Sequence, residues 1–139
     1  APGVTSIGDQ AFAFCTSMTS INIPESVISI GALAFQRCDS LASIVIPNSV
    51  TTITFSAFAT SKVVNVTIGE GVTSIGNQAF QNCTSLFVIN SLATSAPTLG
   101  TNVFDNIPAT QINVPAGATA SYKSAGDGTT YGGLTIVEV

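Results

Sequence analysis

Histidine and tryptophan are both missing from this chain of 139 residues. Without an imidazole, a serine or cysteine nucleophile lacks its usual base, and a zinc site loses one of its commonest ligands. The three cysteines, Cys15, Cys38 and Cys83, include no C-x-x-C pair, so neither a metal nor another cofactor is expected. Charge is scarce as well. Only 7% of the residues are charged, where typical soluble domains carry about a quarter. The three basic side chains, Arg37, Lys62 and Lys123, cannot neutralise a row of phosphates, and the net charge of −4 repels nucleic acid and anionic membrane surfaces. Nucleic acid is thereby excluded as a partner. Long apolar runs are lacking too: nothing approaches the ~18–20 residues of a membrane-spanning helix, and no basic segment with an apolar stretch marks a signal peptide at Ala1. No membrane insertion is expected. The 45% apolar content suits one folded domain with a sizeable core. Its surface must then be built from Ser, Thr and Asn.

What the chain does have is repetition. The phrase "VTSIGDQAF" at Val4 to Phe12 returns as "VTSIGNQAF" at Val72 to Phe80, and an Ala-Phe pair recurs at Ala11-Phe12, Ala34-Phe35, Ala57-Phe58 and Ala79-Phe80, with a weakened echo at Val103-Phe104. The phenylalanines are 23, 23, 22 and 24 residues apart, a solenoid period. A catalytic motif is needed once; a phrase written repeatedly builds a surface. The chain starts partway through the pattern, which fits a mature product or an excised fragment.

Each unit holds an apolar triplet spaced L-x-x-I-x-I: Leu41/Ile44/Ile46, Met18/Ile21/Ile23, Val63/Val66/Ile68, and Ile112/Val114 in the last. This is the strand segment of a leucine-rich repeat, whose period runs about 20–29 residues. Alternation points the apolar members inward, and successive strands should pair in parallel about 4.8 Å apart. A second apolar pair, Val4/Ile7, Val27/Ile30, Val50/Ile53 and Val72/Ile75, predicts a short extended segment on another wall. Gly8, Gly31, Gly76 and Gly100 are expected at a corner where a side chain would restrict φ, and Pro24, Pro47 and Pro115 end the strand's hydrogen bonding. The expected fold is a mainly β leucine-rich-repeat solenoid over residues 1–115, with about five coils of 22–24 residues. A parallel strand sheet forms one face, and short turns or 3-10 segments the other.

The full pattern, V-x-S-I-G-x-x-A-F-x-x-C-x-S-L-x-x-I-x-I-P over residues 3–115, resembles the BspA-like leucine-rich repeat family of bacterial and protozoan surface proteins. The tail "VPAGATASYKSAGDGTTYGGLTIVEV" is similar to the closing segment of such proteins, which implies a cap of the same domain over residues 116–139, a short helix and a final strand. The resemblance also implies an extracellular or cell-surface location and a binding or adhesive role. Two units depart from the pattern. The third is one residue short after Phe58, carries Thr54 in place of the corner glycine, and has Phe55 where others have Asp9, Ala32 and Asn77. The fourth ends its strand in Asn90-Ser91, so Ser91 replaces an inward apolar residue and a bend or bulge is expected there.

Cys15 and Cys38 stand on adjacent coils, within possible bridging range of about 4.4–6.8 Å between Cα atoms, but stacked parallel side chains favour free buried thiols over a disulfide. The carboxylates Asp9, Glu25, Asp39, Glu70, Asp105, Asp127 and Glu138 fall mostly in different columns of the repeat, whereas a glycosidase requires two about 5–10 Å apart; a hydrolase is the remote reading. The phenylalanine column is expected to stack in the core. Phe14, Phe55 and Phe87 occupy positions that are small or polar in other units, and are the aromatic candidates for exposure. On the strand face, Val45, Val64, Phe87 and Val88 form an apolar centre with Asn65, Thr67 and Asn90 as polar neighbours, a candidate surface for a protein or glycan ligand. Phe55 is the fallback site. Strand faces are also paved with Thr, Val and Asn simply because strands favour them, so a structural spacer between other domains is the alternative role.

Overall fold

In a computed structural model that describes residues 3–139, eleven strands and one helix follow along the chain: β1 (Ser6–Ile7), β2 (Ser29–Ile30), β3 (Ser43–Ile46), β4 (Thr52–Ile53), β5 (Asn65–Ile68), β6 (Ser74–Ile75), β7 (Val88–Ser91), β8 (Thr98–Leu99), β9 (Gln111–Val114), α1 (Thr119–Ala125), β10 (Thr130–Tyr131) and β11 (Leu134–Glu138). They stack into two walls. The first runs β1-β2-β4-β6-β8, all parallel two-residue rungs. The second runs β3-β5-β7-β9-β11 in parallel, with β10 turned back antiparallel on β11. The leucine-rich-repeat solenoid expected from the period is the fold. The closing segment adds a rung of its own, β11 on β9, with Ile136 opposite Ile112.

The two walls meet at the Ala-Phe turn, which forms a third ladder. In the first coil, the N–H groups of Gln10, Phe12 and Phe14 donate to the carbonyls of Ala32, Ala34 and Gln36, and the same three positions repeat the pattern in each coil through Gln78, Phe80 and Asn82. The flanking two of each trio have left-handed φ although none is glycine: Gln10/Phe14, Leu33/Arg37, Ser56/Thr60, Gln78/Asn82 and Asn102/Asn106, all between 51° and 61°. Each such residue costs about a kcal/mol or more in isolation. Here the strain is offset by hydrogen bonds along the solenoid axis and burial of the Phe between them. The corner glycines do not supply this φ. Instead a Cβ on Gly31 would lie 2.5 Å from the Asp9 backbone nitrogen, and one on Gly76 would lie 2.9 Å from that of Phe55. Close approach of the preceding coil, rather than freedom of φ, demands glycine there.

The core is the inward column of each wall plus the phenylalanines, of which Phe35, Phe58, Phe80 and Phe104 are buried and Phe12 half-buried at the open end. No bulge appears at Ser91. β7 pairs with β5 through all four residues, Val88 opposite Asn65 to Ser91 opposite Ile68. Ser91 is buried because its hydroxyl meets the Tyr122 hydroxyl of α1 at 2.5 Å, and Tyr122 donates onward to the Ala93 carbonyl at 2.9 Å. The polar residue that breaks the repeat is thus the lock for the closing helix. Tyr131 packs edge-on against Tyr122 and donates to the Pro97 carbonyl at 2.6 Å.

One expected strand does not form. Ile21 and Ile23 of the first coil lie against the core, yet Ser20–Ile23 is not a strand and no hydrogen bond joins it to β3 among the described residues.

Candidate functional site

Rungs β3, β5, β7 and β9 turn one side away from the core, and apolar and amide groups emerge there on neighbouring rungs. Pairing places Val45 beside Thr67, Asn65 beside Val88, and Thr67 beside Asn90. Val45 is 63% exposed and Phe87 60%, with Val64 and Val88 also exposed. Phe87 and Val64 stand just ahead of their strands, where the Phe87 N–H donates to the Val64 carbonyl at 3.0 Å and fixes one beside the other. Asn65 is exposed, whereas Thr67 and Asn90 are half-buried between adjacent rungs. The amides form a relay: Gln111 Nε2 donates to Asn113 Oδ1 at 3.1 Å, and Asn113 Nδ2 to Asn90 Oδ1 at 2.7 Å. Among the described residues, this leaves the Asn90 amide N–H groups directed at no protein acceptor.

Two depressions border the Phe87 and Asn90 parts of this face. One, of about 240 Å³, is lined by Phe87, Val88 and the stretch Pro108 to Gln111. It opens where β7 and β9 keep a single register pair, Asn90 with Asn113, and where Pro108 has no N–H to contribute. The other, of about 450 Å³, lies at the strands' ends between Thr67, Asn90, Leu92, Pro115 and Val139. The repeat pattern does not single out Leu92 or Val139 as part of it. Val139 reaches it only because β11 stacks on β9 and its N–H meets the Val114 carbonyl at 3.0 Å, a contact with no local sequence signal.

Phe55 stands apart. It is 48% exposed but sits in the turn after β4, not on the strand wall. Phe14 is also exposed, with the Arg37 guanidinium 6.0 Å above its ring, and Arg37 pairs with Asp39 at 3.4 Å.

Two carboxylates hold the closing segment by hydrogen bonds. Asp127 accepts from the N–H and hydroxyl groups of both Thr129 and Thr130, which hold its carboxyl well below the usual range. Glu138 accepts from the Thr119 hydroxyl and N–H and from the Gly117 N–H, with its carboxyl likewise lowered. Both pin the closing segment. All three cysteines are free thiols. Burial raises Cys38 and Cys83 to about 11, and their Sγ–H groups face the Phe12 and Phe58 carbonyls. Ser61 fills the thiol column in the third coil and touches Cys83 Sγ at 3.7 Å. No cluster of three metal-ligating side chains occurs among the described residues, and no helix there is long and apolar enough to cross a membrane.

The family model described as "BspA type Leucine rich repeat region" matches residues 5–128 in six copies. Among solved structures, a leucine-rich repeat protein from Bacteroides ovatus is similar, with 32% sequence identity, a TM-score of 0.54, and coverage of 81% of this chain. The chain spans 37% of that protein's length. No curated protein matches it.

Proposed function

Because the chain belongs to the BspA-type leucine-rich repeat family, we propose that it is a non-enzymatic binding or adhesion module of a cell-surface or secreted protein, engaging a protein or glycan through the strand face. One observation carries the reading: Val45, Val64, Phe87 and Val88 are exposed on three successive rungs, bordered by Asn65, Thr67 and Asn90. Apolar anchors ringed by hydrogen-bonding groups are how interfaces gain affinity. Stacking against Phe87 suits a sugar ring or a peptide side chain, and the Asn90 amide supplies a donor farther along the same strand. With so few charges, binding should depend weakly on salt.

The test is the double variant Phe87→Ser with Val45→Ser, assayed against a panel of extracellular matrix proteins and glycans, with folding followed by circular dichroism. Loss of binding by a folded variant supports the strand face. Retained affinity moves the site elsewhere, first to Phe55, and no binding by the parent to any member of the panel favours a spacer role.

A further inference from the structure

The first coil and β3 are joined at two walls and parted at the third. The Ile28 N–H donates to the Thr5 carbonyl at 2.9 Å and the Phe12 N–H to the Ala34 carbonyl at 2.8 Å, so the coils are in contact along the first wall and the turn. Along the strand wall a slot of about 350 Å³ is lined by Ser20 to Glu25 on one side and by Ser43, Val45 and Pro47 on the other, and no hydrogen bond joins Ser20–Ile23 to β3 among the described residues. Its volume is many times that of a water molecule, about 30 Å³.

The register says which backbone groups face it. Asn65 N–H bonds back to the Ala42 carbonyl, and Val88 N–H bonds back to the Val64 carbonyl. Residues 42, 44 and 46 therefore turn their N–H and C=O groups toward β5, since successive residues of a strand alternate sides. Ser43 and Val45 turn theirs the other way, into the slot, where no backbone partner meets them among the described residues. Two N–H and two C=O groups thus stand one strand repeat apart, about 6.6–6.8 Å.

We infer that this slot takes an extended peptide segment of a partner protein, which adds to β3 as a further strand. Only an extended main chain presents alternating donors and acceptors at that two-residue interval. Sugar hydroxyls have no such repeat. The neighbouring side chains, Ile21, Ile23 and Val45, suit apolar or β-branched residues on the incoming strand, and Glu25, the one charged residue at the slot, suits a lysine or arginine at the end lying beside it. The site is separate from the Phe87 depression but shares Val45 with the strand-face reading; it rests on the Ser43 and Val45 main chain, so the exchange pattern tells the two apart.

The experiment uses amide hydrogen exchange by NMR with the synthetic probe acetyl-Thr-Val-Thr-Val-Thr-Lys-amide. In the free protein the Ser43 and Val45 amides should exchange faster than those of Ile44 and Ile46 in the same strand; uniform protection along β3 would mean the slot is closed and overturns the inference. Adding the peptide should protect Ser43 and Val45. N-methylation of alternate peptide amides should weaken binding about tenfold or more, as expected for losing two main-chain hydrogen bonds. Equal binding by the methylated peptide, or protection confined to residues around Phe87, also overturns it. Ser43→Pro removes one slot-facing N–H and should abolish the interaction, while Ser43→Thr keeps it. Should Ser43→Pro fail to fold, the exchange pattern and the methylated peptide decide the matter in the parent protein.

Discussion

The rings of Phe35 and Phe58 stack with their centroids 5.1 Å apart and their planes 2° from parallel, the closest step in a column that runs from Phe12 to Phe104. Each interior ring is held on both faces, so removing one leaves a cavity that neighbours locked in their own turns cannot fill. Phe35→Ala and Phe80→Ala should each cost about 3–5 kcal/mol. Thermal melts would show this as a drop of about 10 °C or more; a melt within a degree or two of the parent would contradict the column's role.

The thiols give a second check. Denatured, unreduced protein should titrate three thiols, and a count of one would reveal a Cys15–Cys38 bridge. In the native protein near neutral pH, Cys15, only half-buried, should react first. Cys38 and Cys83 should stay inert, since burial favours their neutral form up to about pH 11. Their pKa values are raised on folding, so their contribution to stability is full below the unfolded thiol range of about 8.5 and is lost as pH rises through about 11. Urea midpoints measured from pH 8 to 11 should fall, and less so in Cys83→Ser.

Ser91 and Tyr122 should respond unequally. In Ser91→Ala the Tyr122 hydroxyl still donates to the Ala93 carbonyl, and the loss should be about 1 kcal/mol or less. Tyr122→Phe strands the buried Ser91 hydroxyl and that carbonyl together, at about 1–3 kcal/mol. Urea denaturation of the two variants and their double mutant would measure the coupling, and the reverse order would refute the lock.

Acid should loosen the closing segment before the solenoid. The Asp127 and Glu138 carboxyls are lowered by the hydrogen bonds they accept. Groups with depressed pKa values stabilise above their unfolded values, about 4, and lose that contribution as pH falls through the folded ones. Amide exchange at Thr119, Thr129 and Thr130 should accelerate below about pH 4 relative to the core strands, and Asp127→Asn should show the acceleration at Thr129 and Thr130 already at neutral pH.

Most of the solenoid was legible because its cause is periodic: inward Ile and Val at fixed offsets dictate two walls, and the Ala-Phe pair fixes the register. The strand-face residues follow from the same alternation. What escaped depends on contacts between coils. Ser20–Ile23 carries the same I-x-I pattern as β3, so nothing local marks it as the stretch that stays apart. Ser91 reads as a defect until Tyr122, 31 residues later in the chain, is folded over it. The glycine corners are visible by residue type, but their reason, the backbone of the preceding coil, is not. Thr67 and Asn90 alternate outward correctly, yet neighbouring rungs half cover them.

The ladders in both walls and at the turn have a mechanical consequence. Their hydrogen bonds lie along the solenoid axis, so a pull in that direction strains the junction at one end before the next, and the coils peel off singly instead of shearing together. Each coil of 22 to 24 residues would pay out about 75–85 Å of extended chain. Such an array yields in steps of nearly equal length and dissipates work at each one, behaving as a shock absorber whose travel grows with the number of repeats.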